Sequence, residues 1–166
     1  MSVSLYGNGN TIIQAVSVPV TNAFTSSSNS MVDITSFSAT ITPQSTTSKI
    51  LVLISLSTSK NTASYGIAFQ PTRNGAAVGI GTLGTTAPNY AFSTNMANAS
   101  NVYNQNYHFV DSPASTSALT YKLQVRVENG GGTFSLNNNV AYLNGGTDVY
   151  YAGYASNITL LEISGS

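Results

Sequence analysis

The chain has no cysteine and no tryptophan. Without cysteine there is no disulfide framework and no thiolate nucleophile, and thiol usage says nothing of the redox compartment. Charge is nearly as scarce: five Lys plus Arg face five Asp plus Glu, with one histidine, in 166 residues. Phosphate binding needs several clustered cations, and these few are scattered, so nucleic acid is not expected as a partner. No apolar run approaches the ~20 residues of a membrane-spanning helix. The start M-S-V-S-L-Y has neither the basic region nor the long apolar region of a secretory leader. The expectation is no membrane partner and, for any extracellular fate, a route such as lysis.

Hydroxyls and amides take the place of charge: 24 Ser, 20 Thr and 18 Asn. Such a surface dissolves without long-range electrostatic steering. Low charge also removes a common defence against self-association, so an oligomer is expected. The length suits one domain with a self-sufficient core. The turn-rich G-N-G-N at 7–10 sets off residues 1–10 as a short N-terminal arm, leaving residues 11–166 as a single domain.

The body is organised around Lys49 to Ser59, K-I-L-V-L-I-S-L-S-T-S, where six of the seven residues from Ile50 to Leu56 are apolar. Its length and β-branched content indicate a strand, and its two apolar faces both call for cover, inside a sandwich or at a subunit contact. Thr11 to Val20 reads as a first strand, with Pro19 suited to an edge. Residues 21–30 form a loop or weak edge strand carrying Phe24. Met31 to Thr42 alternates, with Phe37, Ala39 and Ile41 on one face. Tyr65 to Gln70 is a strand, and Asn74-Gly75 gives a type I′ hairpin signal because both residues tolerate positive φ. Residues 83–102 read mostly as loop, with one short strand near Tyr90 to Thr94.

Tyr103 to Asp111 follows, then Ala118 to Glu128, with Leu119, Tyr121, Leu123, Val125 and Val127 facing one way. Its other face, Thr120, Lys122, Gln124, Arg126 and Glu128, is solvated or lines a polar contact. After the glycine turn at 130–132, Thr133 to Leu136 is expected to pair back. Asn157 to Ser164 is a second strand apolar on both faces and a candidate neighbour of the central one. Eight to ten short strands without a helical stripe indicate an all-β sandwich. A jelly roll is preferred, and the missing Cys and Trp count against an immunoglobulin-like alternative.

Catalytic and metal-binding patterns are not found. One histidine and five scattered carboxylates give no ligand spacing. A triad can be written from His108, Asp111 and a serine, but no nucleophile elbow accompanies it. Carboxylates for glycoside cleavage would have to converge from distant positions. The reading is therefore non-enzymatic, with no cofactor. Tyr90, Tyr103, Tyr150, Tyr151 and Tyr154 lie in loop-rich stretches, where flat rings with few rotors suit glycan or protein contacts. Those five are the candidate outer-loop contacts.

Four segments, Val32 to Pro43, Thr47 to Ser57, Asp111 to Arg126 and Ser156 to Ile163, together resemble a small β-domain of tailed-phage and cyanophage virion proteins. That domain occurs alone or at the end of tail fibres. The likeness runs from about Ile12 to the end and is weakest from Gly75 to Asn101. P-T-R-N-G keeps the Arg73 and Gly75 of the family's R-x-G, although the loop after it is poor in charge. The resemblance implies a homotrimeric jelly roll displayed on a virion, on the capsid surface rather than a tail fibre. Its implied partner is the major capsid protein or another virion protein.

A decoration or cement protein fits a chain that is nearly all one domain. In that role Leu5, Tyr6, Ile12 and Ile13 are candidate capsid or subunit contacts. Ile158, Leu160 and Ile163 are candidate trimer-interface residues. The alternative is a receptor-binding tip or short tail fibre holding a host glycan.

Overall fold

The structure, a computed structural model, describes residues 11–63, 65–82, 88–96, 101–128, 131–139 and 153–165. Strands are β1 (Ile12–Val20), β2 (Phe24–Ser26), β3 (Val32–Ile41), β4 (Lys49–Lys60), β5 (Gly66–Arg73), β6 (Ala76–Ala77), β7 (Phe92–Asn95), β8 (Tyr103–Asp111), β9 (Leu119–Val127), β10 (Phe134–Leu136) and β11 (Ser156–Ile163). No helix occurs among the described residues.

The first sheet runs β1-β11-β4-β8, with β10 and β2 continuing beside the far end of β4. The second contains β3-β9-β5, with β7 and β6 pairing along β5. All of these pairings are antiparallel. With β2, β6 and β10 set aside as short additions, the remaining eight strands form two four-stranded sheets, β1-β11-β4-β8 and β3-β9-β5-β7, in the order of a jelly roll. The chain is an all-β sandwich of that kind.

The inward set of each sheet is fixed by period-2 alternation. Ile50, Val52, Ile54 and Leu56 of β4, with Ile158 and Leu160 of β11, face Phe37, Ile41, Ile67, Phe69 and the Leu119-to-Val127 row. Aromatic rings bridge the sheets. Phe69 stacks on Phe92 at 4.7 Å, Phe92 on Tyr107 at 5.0 Å, and Phe134 meets Phe69 edge-on at 5.7 Å. Each such pair adds about 0.5–1.5 kcal/mol to its burial. The β3 register shifts between Asp33 and Ser38, so Ile34 and Phe37 both point inward despite an odd spacing.

At one end a polar clasp joins the sheets. Arg73 of β5 places Nη1 2.8 and 2.6 Å from the two Asp111 carboxylate oxygens, and the Tyr121 hydroxyl donates to Asp111 Oδ2 at 2.7 Å. The Asp111 hydrogen bond raises the Arg73 pKa, and burial pushes the Tyr121 phenol well above its ordinary value.

Several expectations held in detail. β4 and β11 are neighbours, Pro19 lies on the outer strand β1, and the 74–75 turn has φ of 50° and 86°, as a type I′ hairpin needs. One did not. Phe134–Leu136 does not pair back on β9 but crosses to β4 and β2 in the other sheet. β11 covers β4 only from Lys49 to Ser55, so beyond it β10 takes the place beside Thr58 to Lys60, and Phe134 and Leu136 enter the core there.

Candidate functional site

The outer face of the β1-β11-β4-β8 sheet is the largest departure from an ordinary solvated surface. Residues directly paired in antiparallel strands share a face. The register therefore lines up Ala15, Leu161, Leu51 and Val110 across all four strands. On one side of that row stand Ile12 and Ile163; on the other, Thr159, Leu53 and His108. Ile12 is 60% exposed, Val110 56% and Leu53 36%. Farther along, the face turns to Ser17, Ser55, Asn106 and Asn157, with a dimple of about 150 Å³ between Leu53, His108 and Asn157. The result is an apolar centre with a hydroxyl and amide margin, the composition pattern of a protein contact.

The outer face of the other sheet is charged. Lys122 Nζ lies 2.9 Å from Asp33 Oδ2, and Gln124 donates to Asp33 Oδ1 at 2.8 Å. The Gln124 hydrogen bond, then Lys122, holds the Asp33 carboxyl below its ordinary pKa. At the far end of the same row Arg126 donates from Nη1 to the Tyr90 hydroxyl at 2.6 Å, its guanidinium 5.7 Å from the ring centroid. Glu128 Oε2 accepts from the Gly66 amide at 2.7 Å. A Cβ at position 66 would come within 3.2 Å of that oxygen, so glycine keeps the carboxylate seated. Tyr90, Ser93, Arg126, Glu128 and Pro88 line an open cavity of about 250 Å³. It holds donors, an acceptor and an aromatic wall, suited to a hydroxyl-rich ligand.

The residues singled out by sequence scatter over these surfaces. Ile12 and Ile13 lie on β1 at the apolar margin and are exposed, whereas Leu5 and Tyr6 fall outside the described residues. Ile158 and Leu160 do not form a surface: both are fully buried in the sandwich core, and of the expected trimer-interface trio only Ile163 points outward. Glu162, on the same side of β11 as Ile158 and Leu160, is buried with them and accepts the Gln44 amide at 2.7 Å. The outward apolar residue of β11 that the sequence reading missed is Leu161.

Tyr90 lines the cavity. Tyr103 is corrected to a core-flanking residue on the inward face of β8. Tyr154 is half-buried, its amide donating to the Asn137 carbonyl at 3.0 Å. Tyr150 and Tyr151 lie outside the described residues. His108 and Asp111, which a triad would bring together, project to opposite faces of β8. No group of three or more His, Asp or Glu among the described residues is placed to hold a metal ion.

The class defined so far is a jelly-roll domain with an unpartnered apolar outer face. No protein-family model matches the sequence, and no curated protein matches it. Solved structures do share the fold. A chain in the structure of the infectious bursal disease virus Gt strain superposes with a TM-score of 0.50 at 12% identity, over 98% of this chain. This chain spans 44% of that one. A chain from T=1 particles derived from infectious bursal virus gives 0.48 at 10% identity over the same shares.

Proposed function

We propose that the chain is a non-enzymatic structural protein of a virus particle. In the narrower form it is a homotrimeric decoration or cement protein on the head of a tailed phage, seated against the major capsid protein. The observation that carries this reading is the apolar outer face of β1-β11-β4-β8, on a domain whose own core is already closed. A lone copy leaves that face in water, and association removes it at about 25 cal/mol per Å² of apolar area. The jelly-roll order and the likeness of four segments to phage virion domains agree with it. A protein that binds the assembled shell and not its free subunits stabilises the shell by mass action.

Particles lacking the protein should lose infectivity faster under heat or osmotic shock, and density for it should lie on the head surface. Equal resistance of the two kinds of particle would count against the reading.

The cavity beside Tyr90 favours a second one, a receptor-binding tip or short tail fibre holding a host glycan. In that case the purified protein selects particular sugars on a glycan array, and Arg126→Ala abolishes the selection. No selection by the wild-type protein would dismiss it.

A further inference from the structure

Resting on the second reading above, we infer that the cavity beside Tyr90 takes one class of sugar, a carboxylated pyranose at the end of a glycan. Its carboxylate lies on Arg126 and its hydroxyls turn toward Glu128. The cavity is a trough made by differences in side-chain size. On the outer face of β5, between β9 and β7, stand only Gly66 and Ala68. The register sets Ala68 beside Arg126 on one flank and Ser93 on the other. Small residues on the middle strand and longer ones beside them leave a floor two strand spacings wide, about 9.6 Å. The Tyr90 ring forms a further wall, on a backbone fixed at both sides. Its carbonyl accepts the Gly81 amide and the Ala91 amide donates to the Phe69 carbonyl, each at 3.0 Å.

Charge decides which sugar. The carboxylates among the described residues are already committed: Asp33 to Lys122, Asp111 to Arg73, Glu162 to the Gln44 amide and Glu128 to the Gly66 amide. Glu128 also acts on buried Lys60, whose pKa burial lowers and the Glu128 charge partly restores. Arg126 is half-buried in the cavity wall and forms no ion pair with any of them; its Nη1 donates to a neutral phenol. A guanidinium carries five donors in a planar fork that matches a carboxylate. The Tyr90 hydroxyl, accepting from Arg126, has its own O–H left to donate, and the Ser93 hydroxyl faces Arg126 across the floor. Donors therefore gather on the Arg126 row. Two residues along β9, about 6.6 Å away, Glu128 offers acceptors for neutral hydroxyls. A pyranose with its carboxylate on one side and hydroxyls on the other matches that division. A phosphate, with more charge and no hydroxyl edge, would meet Glu128 as well as Arg126.

Methyl glucuronide and methyl glucoside supply the test. They differ only in a carboxylate for a hydroxymethyl group, and the methyl cap stands for the rest of a glycan. Titrated into the purified full chain by calorimetry, the glucuronide should bind about tenfold more tightly, because hydrogen bonds to charged groups are roughly twice as strong as neutral ones. That preference should shrink in about 1 M NaCl, where the screening length is ~3 Å. Arg126→Gln should bind the two glycosides equally. If that variant loses the native circular dichroism, the salt series on the wild type decides alone. Acetate at the same concentration should not displace the glucuronide, since it leaves the Glu128 half of the trough unfilled.

Equal affinity of the wild type for both glycosides, or a preference for the glucoside, would overturn the acidic sugar and leave the glycan reading in place. Displacement by acetate as effective as by the glucuronide itself would reduce the site to an anion pocket and overturn the sugar altogether. Where neither glycoside binds, a glycan array decides. Selection of other carboxylated ends supports the class, selection of neutral ends overturns it, and no selection removes the second reading as well.

Discussion

The two outer faces of the sandwich share antiparallel pleating and alternation, yet they carry opposite surfaces. On β3-β9-β5, Asp33, Lys122, Arg126 and Glu128 each have a hydrogen-bonded partner, and they put four of the chain's ten acidic and basic side chains on one outer face. On β1-β11-β4-β8 the corresponding outward positions are Ala15, Leu161, Leu51 and Val110. Alternation decides which residues share a face; the chemistry of the outward set decides what that face meets. One face is finished by its own ion pair and hydrogen bonds. The other is finished only by something that covers it.

β8 holds the largest test of that contrast, because Val110 and Asp111 are neighbours pointing to opposite sides. Asp111→Ala removes the partner of both Arg73 and Tyr121 within the sandwich, where the Asp111 side chain is only 12% exposed. Breaking such a pair costs about 3–5 kcal/mol, so the urea midpoint should fall sharply. A loss under about 1 kcal/mol would reclassify the clasp as a surface pair.

Next in size is a matched pair of acidic substitutions on the outer faces. Leu53→Asp should weaken assembly at least about tenfold, the equivalent of 1.4 kcal/mol, since the carboxylate would be desolvated in the contact. Thr40→Asp, exposed on the charged sheet, should leave the sedimentation coefficient unchanged. If Thr40→Asp dissociates the protein and Leu53→Asp does not, the roles of the faces are reversed.

The sandwich is legible in the alternation of the strands. The alternation in Ala118 to Glu128 identifies both faces of β9 correctly, because charge marks one of them. In β4 and β11 both faces are apolar, and no local signal separates the core set from the outward set. That is why Ile158 and Leu160 were assigned to a subunit contact when their neighbour Leu161 faces out. Only the pairing register, which depends on partners 100 residues or more away in the chain, resolves the choice. The cavity was foreshadowed by Tyr90 alone. Arg126, Glu128 and Ser93 join it through contacts between β9, β5 and β7 that no spacing reveals.

Alkali reads the inside of the sandwich. Burial raises the Tyr107 and Tyr121 pKa values. A tyrosine whose folded pKa is raised stabilises the fold fully below its unfolded pKa of about 10, and that contribution is lost as pH climbs toward the folded value. Lys60 has the opposite sign. Burial lowers its pKa, so its penalty applies at neutral pH and is relieved as pH approaches the unfolded value of 10.5. Stability measured by urea melts should therefore fall above about pH 10 where the two tyrosines outweigh the lysine. Tyr121→Phe should flatten that fall at a cost near 1 kcal/mol for the lost hydrogen bond. An unchanged slope in Tyr121→Phe would exclude this phenol as its source.

Acid and salt probe the outer charged face, where the smallest effect is expected because the Asp33 side chain is 37% exposed. With its pKa held below 3.8 by Gln124 and Lys122, Asp33 stabilises the fold above that pH, and the contribution is lost as pH falls through the folded value. Asp33→Asn should shallow the acid limb slightly, and about 1 M NaCl, with a screening length of ~3 Å, should weaken the Asp33–Lys122 part of that difference. Assembly through an apolar face has no charge to screen, so the same salt should leave the sedimentation coefficient unaltered or raise it. Dissociation by salt, with the acid limb unmoved, would mean that copies meet through Asp33, Lys122 and Arg126, and that the leucines of the opposite sheet are covered by some other partner.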